Sequence, residues 1–149
     1  MSSERADHGA AGVDRAGGPA LGTAALRAVS AFSWSDVLAR LTNALYVEGF
    51  AIWSEIDLTQ MRPVRSLARP PQQRLMIVGH PQLSRQALSI DERAGLDLTL
   101  TLHLRCDERG HIHVRCQDPR QVWARASSER LELVVEAVAE RLQRVLVAL

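Results

Sequence analysis

Few side chains in this 149-residue chain can do chemistry at neutral pH, and their spacing narrows what that chemistry is. His103, His111 and His113 cluster in sequence around one turn. Two histidines at i and i+2 of a strand can both reach a metal, and a third across a hairpin would complete a zinc site. Arg105 and Arg115 interleave with them and repel a cation, and the Arg and Thr neighbours on that face are expected to offer the imidazoles no acidic support. The expectation is therefore a polar sheet surface, solvated or facing a partner, with no metal assigned. Cys106 and Cys116 fall on the apolar side of the same hairpin, about four residues apart, or ~14 Å. A disulfide needs Cα atoms within ~7 Å, so both are read as packing residues. His80 stands between Gly79 and Pro81 at the end of an apolar strand, where loops commonly build pockets. It brings hydrogen bonding and a titratable group. Asp57, Asp97 and Asp118 are placed at strand ends, and Arg62, Arg65, Arg69 and Arg74 make one connection basic. His80, Asp57, Arg69 and Asp118 form the candidate ligand-binding set, suited to a small anion or a cofactor of undefined type. The competing structural reading has Gly-His-Pro setting a chain reversal and Asp118-Pro119 starting a turn. No catalytic residue is assigned. The chain lacks a glycine-rich phosphate loop, Cys-x-x-Cys, Gly-x-Ser-x-Gly and His-Glu-x-x-His.

These residues depend on the elements that carry them. Leu98, Leu100, Leu102 and Leu104 alternate with Thr99, Thr101, His103 and Arg105, a period of two that buries one face of a strand. Asp107 to Gly110 is a turn, with Gly110 suited to the left-handed position of a three-residue hairpin loop. Pairing Asp107 with His111 puts His113 opposite Arg105 and His103 opposite Arg115. It sets Cys106 opposite Ile112 and Cys116 opposite Leu102. Upstream, Leu26 to Phe32 is a weak strand. Ser33 caps a helix over 34–48, Asp36 completes a capping box and Phe32 is placed as a staple. Gly49 ends that helix. Phe50 to Ile56 and Arg74 to Gly79 read as strands. Pro81 to Ser89 has room for a short helix. Leu131, Val134, Val135, Val138, Leu142, Val145, Leu146 and Leu149 form the stripe of a final helix capped by Ser127 or Ser128.

The order strand, helix, four strands, helix implies an α+β domain, β-α-β4-α, with a largely antiparallel sheet and two helices packed on one face. Residues 1–25 hold five of the nine glycines and have no period, so a disordered Gly/Ala-rich tail is expected there, with a single domain over 26–149.

Composition narrows the partners. Hydrophobic residues make up 46% and charged residues 23%, as in globular proteins. Eighteen basic residues, all Arg, against 17 acidic ones leave a net charge of +1, which gives no general field for nucleic acid or an anionic membrane. No apolar run approaches the ~20 residues of a membrane span. The first twenty residues lack the apolar segment of a secretory signal, and a cytoplasmic location is expected.

Five short pieces occur in order: Gly49-Phe50 with Ile56-Asp57, Arg69-Pro70, Gly79-His80-Pro81, Ala94 to Leu98, and Asp118-Pro119. In this order the chain resembles the domain of unknown function 302 family over residues 27–149. The resemblance implies a β-α-β4-α fold of the TATA-binding-protein architecture, often as a homodimer, and no established reaction. Departures from the family pattern fall on polar positions. Leu58 stands where a His is frequent, His80 where the family has Asn in Gly-Asn-Pro, and Cys116-Gln117 where Tyr-Asn precedes Asp-Pro. The reading is a non-enzymatic, self-associating binding module, most simply a homodimer. The alternative is a small-molecule pocket, with or without catalysis, around His80, Asp57 and Asp118.

Overall fold

The computed structural model describes residues 25–59, 61, 70–96, 99–122 and 128–149. The expected tail, save Ala25, lies outside the described residues, as do Arg62, Arg65, Arg69, Asp97 and Ser127. The elements run β1 (Ala25–Ser30), α1 (Trp34–Val47), β2 (Ala51–Asp57), β3 (Gln73–Gly79), α2 (Pro81–Ile90), β4 (Leu100–Cys106), β5 (Ile112–Gln117), α3 (Pro119–Val122) and α4 (Glu129–Val147). A 3-10 turn, Glu92–Leu96, follows α2. The five strands form one sheet in the order β1-β5-β4-β3-β2, with every neighbouring pair antiparallel.

The α+β class and antiparallel sheet agree with the sequence pattern, but the described residues hold four helices where two were expected. Helix α2 forms because His80 caps it, Pro81 occupies its first turn, and Leu83 and Ala87 bury one face at i, i+4. Its stripe is only two residues long, which is why periodicity alone leaves it as a possibility. Helix α3 is a single turn started by Asp118.

The hairpin follows the expected register, Leu102 opposite Cys116 and Cys106 opposite Ile112. Asp107 N–H donates to the His111 carbonyl at 2.9 Å, and Gly110 has φ +85°. Leu100, Leu102, Leu104, Ile112, Val114 and Cys116 join Met76 and Val78 on one face of the sheet. Val37, Leu41 and Leu45 of α1 and the stripe of α4 pack on that face. Cys106 lies at the margin of this core, half-buried where full burial was expected. Both thiols are free.

Ser33 caps α1 by accepting from the Asp36 N–H at 3.2 Å, as the capping pattern indicates. The ring of Phe32 is half-exposed, and the Arg40 guanidinium lies over it, 3.9 Å from its centroid, as a cation on a ring face.

The other face of the sheet carries no helix among the described residues. Opposed residues share a face, so the register gives the rows of this bare face directly. One row crosses all five strands as Arg27, Arg115, His103, Leu75 and Ile56. The next sets Val29, His113, Arg105 and Gln73 side by side.

Candidate functional site

The Gly79-His80-Pro81 segment ends β3 and opens α2. The His80 side chain is 5% exposed. Its Nδ1 accepts from the Leu83 N–H at 3.2 Å, which is the N-cap bond of α2. That leaves Nε2 to donate to the Glu48 carbonyl, 3.1 Å away, at the end of α1. Edge-on contact with Phe50, ring centroids 5.3 Å apart, completes the seat. Burial, with the nearby Arg141 charge second, lowers its pKa, so the imidazole stays neutral. Nδ1 here fills the acceptor role that the side-chain oxygen of Asn or Asp fills at other helix N-caps. Both flanking glycines are constrained. Gly49 has φ +86°, and a Cβ there would stand 2.7 Å from His80 Nε2. A Cβ at Gly79 would enter the Trp53 ring. Trp53 sits where the β2–β3 register shifts, a bulge that turns its ring over Gly79.

The remaining members of the expected set are elsewhere. Asp57 is exposed at the far end of β2, opposite Arg74, with Oδ1 accepting from the Thr59 N–H at 2.9 Å. The bond from Thr59 holds its carboxyl below the usual range. Six residues of β3 separate that level from His80, ~20 Å along the strand. Asp118 is buried and caps α3: Oδ1 accepts from the Arg120 N–H at 3.0 Å, and Oδ2 from its guanidinium at 3.3 Å. Arg120 continues to Glu136 of α4 at 2.8 Å, a clasp between helices. Asp118 is two strands across from His80, ~10 Å by strand spacing, and the polar bonds of both are directed to different partners. Asp57 therefore lies at the opposite end of the sheet from His80. Asp118 shares the His80 end, but two strands away and with partners of its own, and Arg69 lies outside the described residues. The physical reason is that β2 runs antiparallel to β3, whereas β3 and β5 both run antiparallel to β4 and end on the same edge, where His80 and Asp118 each cap a different helix.

Glu48 is an acidic group close enough to His80 to act on its charge. Its carboxylate is held by Arg144 at 3.0 Å and Arg141 at 3.8 Å, both from α4, and its pKa is lowered chiefly by the Arg144 bond. This is a tether between α1 and α4. The Cys116 thiol is pushed up to about 12 by burial, which makes it unreactive.

Polar groups do gather on the bare face of the sheet. His103, Arg105, Asp107, His113 and Arg115 line a recess of about 120 Å³. His103 Nε2 bonds the Gln73 side-chain oxygen at 3.0 Å. Burial, then the Arg115 and Arg105 charges, lower its pKa, so it too stays neutral. Asp107 is fully engaged: Oδ2 meets His113 Nε2 at 2.7 Å, and Oδ1 accepts the N–H groups of Arg109 and His111, each at 2.9 Å. These bonds, led by that from His113, bring its pKa down to about 2. Neither the Arg105 nor the Arg115 guanidinium has an acidic partner among the described residues. The histidines and arginines of this recess were legible from hairpin alternation. Arg27 and Gln73 were not, since only the pairing of distant strands brings them alongside. Among the described residues no three His, Cys, Asp or Glu side chains gather as a metal site. No helix among them is long and apolar enough to cross a membrane.

The model of one family, described as domain of unknown function DUF302, matches residues 16–149. Among solved structures, the crystal structure of an uncharacterized conserved DUF302 protein from Bacillus stearothermophilus superposes with a TM-score of 0.73 at 17% identity. The match covers 83% of this chain and 96% of that one. At this identity the likeness establishes the fold. A search of curated proteins finds no match.

Proposed function

The chain belongs to the DUF302 family, and from its geometry we propose that it is a non-enzymatic, self-associating binding module whose contact surface is the bare side of its sheet. The observation that supports this is a face that no described helix covers. Among the described residues the five paired strands are packed by helices on one side, and the other side presents Arg27, His103, Arg105, His113 and Arg115 beside Leu75 and Ile56. The polar groups around His80 and Asp118 are bonded to backbone and to helix partners, which speaks for a structural part in the fold. On this reading the protein is cytoplasmic, where its two free thiols remain reduced.

Self-association is assigned to the outer edge of β1, which among the described residues pairs only with β5. An unpaired edge is a template for a second copy. Beside it runs a groove whose lining is mostly apolar, with Leu26, Ala28, Val29, Leu146, Val147 and Leu149 joined by Arg27 and Gln143. Val29 is 61% and Val147 86% exposed. An antiparallel two-fold pairing with Ala28 opposite its own copy keeps the core faces aligned. It sets Arg27 against Val29 of the second copy and avoids facing Arg27 to itself. Native mass spectrometry tests this. The expected particle is a homodimer that V29R weakens, by placing two arginines opposite each other, and that V29E preserves. A monomer at the highest soluble concentration overturns the self-association.

A further inference from the structure

We infer that the bare face of the sheet binds an amphiphilic oxyanion: a carboxylate or phosphate held between Arg105 and Arg115, with its hydrocarbon body lying over Leu75 and Ile56. The inference rests on the reading of this face as the contact surface and adds the ligand class.

Charge is the first argument. Arg105 and Arg115 stand on neighbouring strands, opposite His113 and His103 respectively, so they are diagonal neighbours about 7–8 Å apart at the backbone. Two guanidinium forks at that spacing can close on one oxyanion, the group their planar geometry fits best. Arg27, paired with Arg115, adds a third cation at the edge. Among the described residues the only carboxylate lining the recess belongs to Asp107, and its oxygens are occupied by His113 and two backbone N–H groups. The field facing a ligand is therefore positive although the chain as a whole is nearly neutral.

Size and polarity are the second and third arguments. A recess of about 120 Å³ holds the volume of roughly four waters at ~30 Å³ each, enough for one oxyanion head and far below the ~300 Å³ at which whole-ligand pockets begin. The rest of the molecule must then lie on the sheet. The row that starts at Arg115 and His103 continues through half-buried Leu75 to exposed Ile56, and Ile77 lies one pair further along β3. A polar head at one end and an apolar track at the other is the pattern an alkyl carboxylate or alkyl phosphate would match. An interleaved ladder of aromatics, which single-stranded nucleic acid would require, is not what this face presents.

The test is calorimetric titration of the full chain with inorganic phosphate, octyl phosphate, octanoate and octanol. Octyl phosphate and octanoate are expected to bind about tenfold or more tighter than either phosphate or octanol. R105Q/R115Q should lose about tenfold for both anionic amphiphiles. L75S should bring octyl phosphate toward the affinity of phosphate. Shifts of the His103 and His113 ring protons on titration would locate the site independently of affinity. Equal affinity of the wild type and R105Q/R115Q overturns the anion site, as does octanol binding as tightly as octanoate. Absence of binding by every probe also overturns it. The oligomer seen by native mass spectrometry separates that failure from failure of the module itself.

Discussion

His80 and His103 are both shielded imidazoles with lowered pKa values, yet they belong to two different kinds of region. Around His80 every polar group has a partner inside the fold. Nδ1 caps α2, Nε2 holds the end of α1, and Glu48 is tied to α4. Around His103, two guanidinium groups are close enough to depress its pKa and have no acidic partner among the described residues. The first region uses its hydrogen-bonding capacity to join three helices to the edge of β3. The second keeps capacity available on an uncovered surface. A titratable residue in a turn between glycine and proline looks more functional in a sequence than an arginine in a strand. What separates them is whether their donors and acceptors are already satisfied.

Disturbing the His80 seat through its neighbour should cost the most stability. Gly49→Ala forces a positive φ on alanine, ~1–2 kcal/mol, and drives a methyl group into His80, endangering a cap worth ~1 kcal/mol. The expected loss is about 3 kcal/mol in urea unfolding; a loss below about 1 kcal/mol would mean that the seat is loose. His80→Ala removes the cap and the bond to the Glu48 carbonyl, for an expected loss of about 2 kcal/mol. His80→Asn keeps the cap but not that reach, and about half the loss should return. If Asn rescued nothing, the N-cap would not be the principal role of this residue.

A pH series sharpens the same contrast. Folding depresses the pKa of His80 and His103 below the ordinary 6.5. The unfolded chain therefore takes up protons that the native state resists, so stability is full above about pH 6.5 and declines as pH falls below it, until the native values are passed. His80→Asn should flatten part of that slope, and an unchanged slope would assign it to His103 alone. Asp107 acts in a separate window. Its depressed carboxyl contributes stability above the ordinary 3.8, and this is lost as pH falls toward about 2.

The smallest expected effect on stability belongs to the bare face. Arg105→Gln with Arg115→Gln removes mutual repulsion and no described ion pair, so unfolding free energy should change by no more than about 0.5 kcal/mol, toward greater stability. A loss above about 1 kcal/mol would show that these guanidinium groups hold the fold, and the distinction between the two regions would collapse.

The sequence by itself determined what is local. Alternation from Leu100 to Leu104 and from Ile112 to Cys116, with a turn that accepts only one loop length, dictates the hairpin and its register. That register in turn places His103, Arg105, His113 and Arg115 on one face. Ser33, Gly49 and the α4 stripe dictate two helices for the same reason: caps, left-handed glycines and periodicity act over a few residues. The tertiary structure alone decided which distant segments meet. The contact of His80 with Glu48 spans 32 residues, β1 joins β5 across most of the chain, and Arg27 comes beside Arg115 only through that pairing. Asp57, His80 and Asp118 look equivalent as strand ends, yet sheet direction sends Asp57 to the opposite edge, and sheet order sets Asp118 two strands from His80 with different partners. Such placements depend on burying one continuous core, a condition on the whole chain that no short window of residues contains.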